Sequence, residues 1–436
     1  MVAGTIYRHR LSLRCFSEAS CYKRIITRRQ LAPRKITLQS SGRQKALFTW
    51  ELGGGMGHVT VMSQITSELD KHKLDPWYAL SSPELGLKAG FDAGRVLAAP
   101  LWPGQRGWKY KPAKPARSLG EALARSVFIS AEEVRTQLQQ WLELLARIKP
   151  DIIFADYSPG ALMAARALGI PAIAYGVGYY TLHEGATEFP RIWNRPGLVP
   201  ERTEAAALLD VNTALNQLGC AELDSYAQTI LGTRQLAMTL PLLDPSGRKR
   251  HEPLCNPVLS HALGLSKPEG HRLFILFQDI GHPNLLQGLV AVGPPATVYI
   301  RDLPGNARRR LTDAGLDVLD KPADLGKLLP SCCGVVHYGG LGLSSLALAC
   351  GIPQVMVSTD LEKYFTATRI EAAGLGCHIG MANMTAERLL QAIRYVRGHS
   401  GIKNHTLEWA QQNRSSFDPP GARMAARRLE AFASEL

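Results

Sequence analysis

From about residue 46 onward, short apolar runs rich in β-branched and aromatic residues alternate with longer stretches whose apolar positions recur every three to four residues. The runs predict strands at 46–50, 77–80, 152–155 and 172–175, and the helical spacing falls on 58–70, 118–147 and 159–168. Between 240 and 257 the pattern gives way to "LPLLDPSGRKRHEPLCNP", rich in proline and charge, which predicts a linker. The alternation then restarts, with strands at 272–277, 297–300, 334–337 and 354–357 and helices near 283–291, 341–350, 363–373 and 386–398. Strands alternating with helices imply right-handed βαβ units and parallel sheets, so two such runs predict two doubly wound α/β domains. An amphipathic stretch at 420–435, just after "FDPP", predicts a terminal helix.

A chain of 436 residues exceeds one ordinary hydrophobic core, and 45% apolar with 20% charged residues fits a globular protein. The net charge of +13 suggests nucleic acid until it is located. Residues 1–45 hold eleven Lys/Arg against the single acid Glu18, which leaves the rest nearly neutral. This arginine-rich, acid-poor stretch is expected to lie outside the fold, as a disordered or upstream extension, a transit peptide, or an arm for nucleic acid or membrane. Residues 335–357 carry no formal charge and are long enough to cross a bilayer. Their four glycines, proline and histidine fit two buried parallel strands flanking a helix better. The eight cysteines form no Cys-x-x-Cys pair and have no histidine at zinc spacing, so buried thiols in a reducing, cytoplasmic setting and no metal site are expected.

The segment "ELGGGMGHVT", 51–60, stands where the first strand turns into a helix. A dinucleotide loop would close its G-x-G-x-x-G with glycine, where this chain has His58, and would need an acid about 20 residues later. A phosphate loop would need Gly-Lys-Ser/Thr, which is absent. A third reading makes this a loop that delivers His58 to a reaction. The residue would sit at a helix N-terminus on the carboxyl edge of a parallel sheet, where ligands of open α/β folds bind. Gly55 and Gly57 would let a substrate approach the backbone closely. The plain alternative is a histidine that only caps the helix. Asp156 follows another strand of the same run, and two such strand ends point into one crevice, giving a base and the carboxylate that orients it. Here too, a simple helix cap is the competing explanation.

In the second half, Gly339, Gly340 and Gly342 follow a strand and open a helix, which aims backbone N–H groups at an anion such as a phosphate or pyrophosphate. The order and spacing of "LPSCCGVVHYGG", "ALACGIPQVMV" and "TATRIEAAGLG" resemble the donor-binding signature of the family 1 (UDP-glycosyltransferase-like) GT-B glycosyltransferases. The bacterial and sterol-type members, with His-His-Gly-Gly-x-Gly-Thr, are the nearest in pattern. "GGGMGHV" and "FADYSPGALMAARALGIP" fall where that family carries its catalytic histidine and supporting aspartate, and the resemblance runs over roughly residues 46–436.

The resemblance implies two Rossmann-like domains facing a cleft: an acceptor-binding domain at 46–240 and a nucleotide-sugar-binding domain at 241–415. A terminal helix at 416–436 would cross back to the first. It implies that His58, supported by Asp156, deprotonates an acceptor hydroxyl, which attacks a UDP- or dTDP-sugar with inversion. The acceptor would be small or lipid-like, with peripheral membrane contact left open and the sugar nucleotide as the one co-substrate. The donor side would comprise His337, Tyr338, Gly339, Gly340, Gly342, Ser344, Glu362 and Lys363.

The chain also departs from the family pattern. Tyr338 replaces the phosphate-binding histidine, Leu343 a Thr or Ser, and Leu346 a ribose-binding glutamate. Glu362-Lys363 stands for the Asp-Gln pair that touches the sugar, and Asp320 and Ala323 lie near the base-stacking Trp and Gln. Two rivals follow from these losses: a GT-B-like sugar-nucleotide epimerase, and a catalytically silent partner or activator of another transferase. Two loops carry weaker signals. Residues 102–114, "WPGQRGWKYKPAK", would line an acceptor pocket or lie in solvent, and 183–197 would offer Trp193 to the cleft or to the core.

Overall fold

The computed structural model describes residues 43–102, 116–193, 199–259 and 270–436. The first half runs β1 (Gln44–Trp50), α1 (Met56–Ser67), β2 (Leu74–Leu80), α2 (Pro83–Lys88), β3 (Val96–Ala98), α3 (Leu119–Ser126), α4 (Ala131–Ile148), β4 (Ile152–Asp156), α5 (Pro159–Leu168), β5 (Ala172–Gly176), α6 (Glu204–Gln217) and β6 (Arg234–Ala237). The second runs β7 (Arg272–Phe277), α7 (Pro283–Val290), β8 (Ala296–Ile300), α8 (Gly305–Asp313), β9 (Asp317–Val318), α9 (Leu325–Leu328), β10 (Cys332–His337), α10 (Leu341–Cys350), β11 (Gln354–Ser358), α11 (Leu361–Ala372), β12 (Gly376–Gly380), α12 (Ala386–Gly398), α13 (Ser400–Gln412) and α14 (Gly421–Ser434).

Each half builds a six-stranded parallel sheet, in the orders β3-β2-β1-β4-β5-β6 and β12-β11-β10-β7-β8-β9. Both are the doubly wound order in which the chain reverses direction between the first and fourth strands, and ligands of such sheets bind at the carboxyl ends of those two strands. In the first sheet these are β1 and β4, whose last residues Trp50 and Asp156 are register partners. In the second they are β7 and β10, so the crevice opens beside His337 and Tyr338.

Apolar side chains explain why the strands are central. β4 is buried at every position and so is β10, because helices cover both faces of each sheet. The uncharged stretch at 335–357 resolves into β10, α10 and β11 within this core. Among the described residues, no helix is long and apolar enough to cross a membrane. The short strands β3, β6, β9 and β12 add to those predicted, and all but the two-residue β9 run three to five residues.

Several sequence expectations need correction. The helix expected over 118–147 is two helices, α3 and α4, because Ser118 accepts from the Glu121 N–H at 3.0 Å and Ser130 from the Glu133 N–H at 3.3 Å, so each caps its own helix. The repeated Ser-x-x-Glu spacing was the available signal. β1 begins at Gln44, so Gln44 and Lys45 belong to the fold; the Lys45 N–H donates to Asp151 at 2.8 Å. The remainder of the basic stretch, residues 1–42, lies outside the described residues.

The stretch at 240–257 is pinned rather than loose. Buried Arg250 pairs with Asp244 at 2.8 Å and with Glu252, and donates to the Thr181 carbonyl at 2.5 Å. The terminal helix α14 returns to α1, burying Ala425, Ala426, Leu429 and Ala433 in one cluster with Val59, Met62 and Ile65.

Candidate active site

His58 occupies the first turn of α1 and Asp156 the end of β4. His58 Nδ1 lies 2.9 Å from Asp156 Oδ2, and Asp156 is 2% exposed. A carboxylate only accepts, so Nδ1 carries the proton and Nε2 presents a lone pair. The imidazole stacks on Trp50 with centroids 5.0 Å apart. A Cβ on Gly53 would lie 2.5 Å from His58 Nε2, and Gly53 has a φ of +85°. Gly53 therefore makes room for the ring, and the basic nitrogen lies over the glycine loop.

Of the glycines singled out from the sequence, Gly55 is the N-cap of α1 with a φ of +83°. A Cβ there would lie 3.5 Å from Arg301 Nη1, just past β8, so the carboxyl edges of the two sheets face each other. Gly57 lies inside α1, and a Cβ there would meet no heavy atom within 4 Å, so no steric need for glycine exists at that position.

Across the cleft, Gly339 has a φ of +86°, and Gly340 caps α10 with no side-chain cap. The first N–H groups of α10 are therefore left for water or an anion. Tyr338 folds over this turn: a Cβ on Gly340 would lie 2.8 Å from its ring. Gly342 has no heavy atom within 4 Å of a Cβ position.

Two donor-side residues are fully buried. His337 is 0% exposed, its Nδ1 accepts from the Gly339 N–H at 3.2 Å, and its Nε2 donates to Gln354 Oε1 at 2.9 Å. Burial pushes this imidazole down to about 4, so it is a neutral brace behind the glycine turn. Ser344 is also 0% exposed, and its carbonyl accepts from Gln354 Nε2 at 3.1 Å.

The C-terminal half matches the model of the erythromycin biosynthesis protein CIII-like, C-terminal domain, over residues 300–431. Among curated relatives, the NDP-glycosyltransferase YjiC of Bacillus subtilis (strain 168) is 26% identical over 133 residues, 30% of this chain and 31% of that protein. The match to the L-demethylnoviosyl transferase of Streptomyces niveus is 24% identical over 321 residues, covering 69% of this chain and 75% of the relative. Among solved structures, the spinosyn rhamnosyltransferase SpnG superposes with a TM-score of 0.63 at 19% identity, over 89% of this chain and 100% of that one. These matches show a GT-B fold and a similarity to nucleotide-sugar glycosyltransferases.

Within this GT-B frame, Glu362 and Lys363 sit in the first turn of α11, paired at 3.0 Å, with Asp360 3.5 Å from the same ammonium. Burial pulls the ammonium down, but the two carboxylates outweigh it and hold it above its ordinary value. Lys363 also borders the glycine turn, since a Cβ on Gly339 would lie 3.2 Å from the Lys363 carbonyl. Trp193 donates to the Ala116 carbonyl at 2.9 Å, and its ring lies 4.8 Å from Tyr364 of α11, so it bridges the two halves. Trp102 is fully buried; residues 103–114 of the aromatic loop lie outside the described residues. A cavity of about 640 Å³ flanks β8 and β9 beside Asp317, Lys321 and Lys327; Asp320 and Ala323 line it, whereas His58, Asp156 and the glycine turn do not.

Sequence reasoning missed two residues of this GT-B site. Glu51 is fully buried where β1 meets the loop, accepting from Trp102 Nε1 at 2.5 Å and from the N–H groups of Gly160 at 3.2 Å and Ala161 at 2.8 Å. It ties the loop that carries His58 to the start of α5, which follows Asp156. The signal, an acid two residues before the first glycine of the loop, was present but has no local meaning. Tyr180 is the second, and its hydroxyl lies 3.0 Å from Asp156 Oδ1.

Proposed function

We propose that the protein transfers a sugar from a nucleoside diphosphate sugar to a hydroxyl of a small-molecule acceptor, with inversion at the anomeric carbon. The observation that carries this reading is the His58–Asp156 pair at the reversal point of one sheet, opposite an uncapped glycine turn at the reversal point of the other. His58 Nε2 takes the proton of the acceptor hydroxyl. The oxygen forms its bond to the anomeric carbon from the face opposite the bond to phosphate, and that bond breaks with its electron pair leaving on the nucleoside diphosphate. Asp156 holds the tautomer and balances the imidazolium that forms. The N–H groups opening α10 and the helix dipole stabilise the departing charge.

In this reading residues 46–240 bind the acceptor, 241–415 the donor, and α14 fastens one to the other. Thymidine diphosphate is the favoured nucleotide, because a solved structure of SpnG, 19% identical to this chain, holds it. Glu362 and Lys363 are placed to choose the sugar, and Tyr338 to contact the diphosphate.

The test is incubation with dTDP- and UDP-sugars and a panel of hydroxylated aromatic and macrocyclic acceptors, read by mass spectrometry. A product heavier by one glycosyl unit is expected, and its absence with every donor overturns the reading. The inward positions of His337 and Ser344 favour one rival, a silent partner of another transferase. That rival gains if calorimetry finds no nucleotide binding at all.

A further inference from the structure

We propose that Tyr180 is a positioning residue that completes a His58–Asp156–Tyr180 hydrogen-bond chain and sets the basicity of His58; this rests on the transferase reading above. The two carboxylate oxygens of Asp156 are divided between two donors. Oδ2 faces His58 Nδ1 at 2.9 Å, and Oδ1 accepts from the Tyr180 hydroxyl at 3.0 Å. Both ends are buried, with Asp156 at 2% and Tyr180 at 8% exposure, so water competes weakly for either bond.

The fold makes specific room for this phenol. A Cβ on Gly176, at the end of β5 with a φ of +143°, would collide with the Tyr180 ring. The ring stacks on Tyr157 at 4.5 Å with planes 7° apart, and the Tyr180 N–H is fixed on the Val177 carbonyl at 3.3 Å. Tyr157 itself has a φ of +46°, uncommon for a residue with a side chain, and directly follows Asp156. The His58 ring thus has both Trp50, at 5.0 Å, and Tyr180, at 6.0 Å, as aromatic neighbours.

A hydroxyl donated to Asp156 draws charge from the carboxylate, so it restrains how strongly the carboxylate favours imidazolium. It also fixes the carboxylate plane, and with it the direction of Nε2. The other ionisable groups facing the chain are Tyr175 on β5, Tyr157, and Glu362 with Asp360 at the start of α11.

Tyr180→Phe keeps the ring and removes only the donor. The expected result is a roughly tenfold fall in kcat, the rate equivalent of one hydrogen bond to a charged group, with an unchanged donor KM. The acid limb of the kcat profile should move to higher pH, because the freed carboxylate holds the imidazolium more tightly. On an Asp156→Asn background the same substitution should move neither the rate nor the limb further. A residue that only packs would leave the limb where it is in Tyr180→Phe, which overturns the proposal. Titration of the His58 ring by NMR, assigned with His58→Ala, reads the same coupling with no sugar present. If Tyr180→Phe shifts that titration upward in a protein that transfers nothing, the chain stands and the transferase reading falls. If the titration is unmoved, the chain falls whatever the activity.

Discussion

The indole of Trp50 and the imidazole of His58 stack with centroids 5.0 Å apart and planes inclined by 19°. Trp50 ends β1 and its Nε1 donates to the Leu52 carbonyl at 2.7 Å, so the strand, the first residues of the glycine loop and the histidine form one rigid corner. His58 is thus held from one side by stacking and at Nδ1 by Asp156. Its remaining nitrogen is the only polar atom of the ring left for substrate.

Replacing His58 by alanine should cost about 10²–10⁴-fold in transfer rate, the usual contribution of a positioned general base. Donor affinity, measured by calorimetry, should stay near wild type, because the base acts on the acceptor hydroxyl. Asp156→Asn should lose less, since the base remains. Near wild-type turnover by His58→Ala would remove the base from the mechanism.

The glycines of the loop should separate cleanly. Gly53→Ala places a methyl 2.5 Å from His58 Nε2 at a φ of +85°, so it should displace the ring and abolish transfer. Gly57→Ala enters open space inside α1 and should keep activity while raising stability by about 0.5–1 kcal/mol. Turnover and thermal denaturation of both variants check this, and equal damage from both would mean that the loop is read wrongly.

Nucleotide binding should respond to Tyr338. A phenol offers one neutral hydrogen bond where a protonated histidine adds charge, and charge-assisted bonds are roughly twice as strong. Tyr338→His should therefore tighten thymidine diphosphate binding by about 1 kcal/mol. A second variant tests the geometry: Gly340→Val drives its side chain into the Tyr338 ring, at 2.8 Å already for a Cβ, and should weaken binding. Calorimetry that finds no change in either variant would place the diphosphate elsewhere.

Glu51 should leave a mark on stability against pH. Burial pushes its carboxyl up to about 7, against the opposing pull of donors from Ala161, Trp102 and Gly160. A carboxyl raised in the folded state is protonated there while the unfolded chain has already ionised. Its contribution is therefore neutral below the unfolded value of 4.5 and becomes a penalty as pH rises to about 7. The penalty is at most on the order of 3 kcal/mol. Glu51→Gln should lose this slope, so its melting temperature should gain on wild type between pH 4.5 and 7; parallel curves would show that Glu51 is ionised in the fold.

The sequence determined the order of strands and helices, and with it the two doubly wound sheets. Periods of two and 3.6 are local properties of the chain, and the connection rules narrow such an alternation to a few parallel topologies. It also put His58, in the loop and helix that follow one strand, beside Asp156 at the end of another, 98 residues apart, because the ends of neighbouring parallel strands share one crevice. It could not say which way a side chain turns once there. His337 is buried, where Gln354 on the neighbouring strand offers it a partner. Gly53, and not Gly57, is the glycine the ring requires, because only the turn of the loop decides where His58 Nε2 falls. Glu51 meets Ala161 across 110 residues and Tyr180 meets Asp156 across 24, through hydrogen bonds that exist only when the sheet has closed around them. Pattern and connection rules are written along the chain; the partner of a buried polar group is chosen by packing.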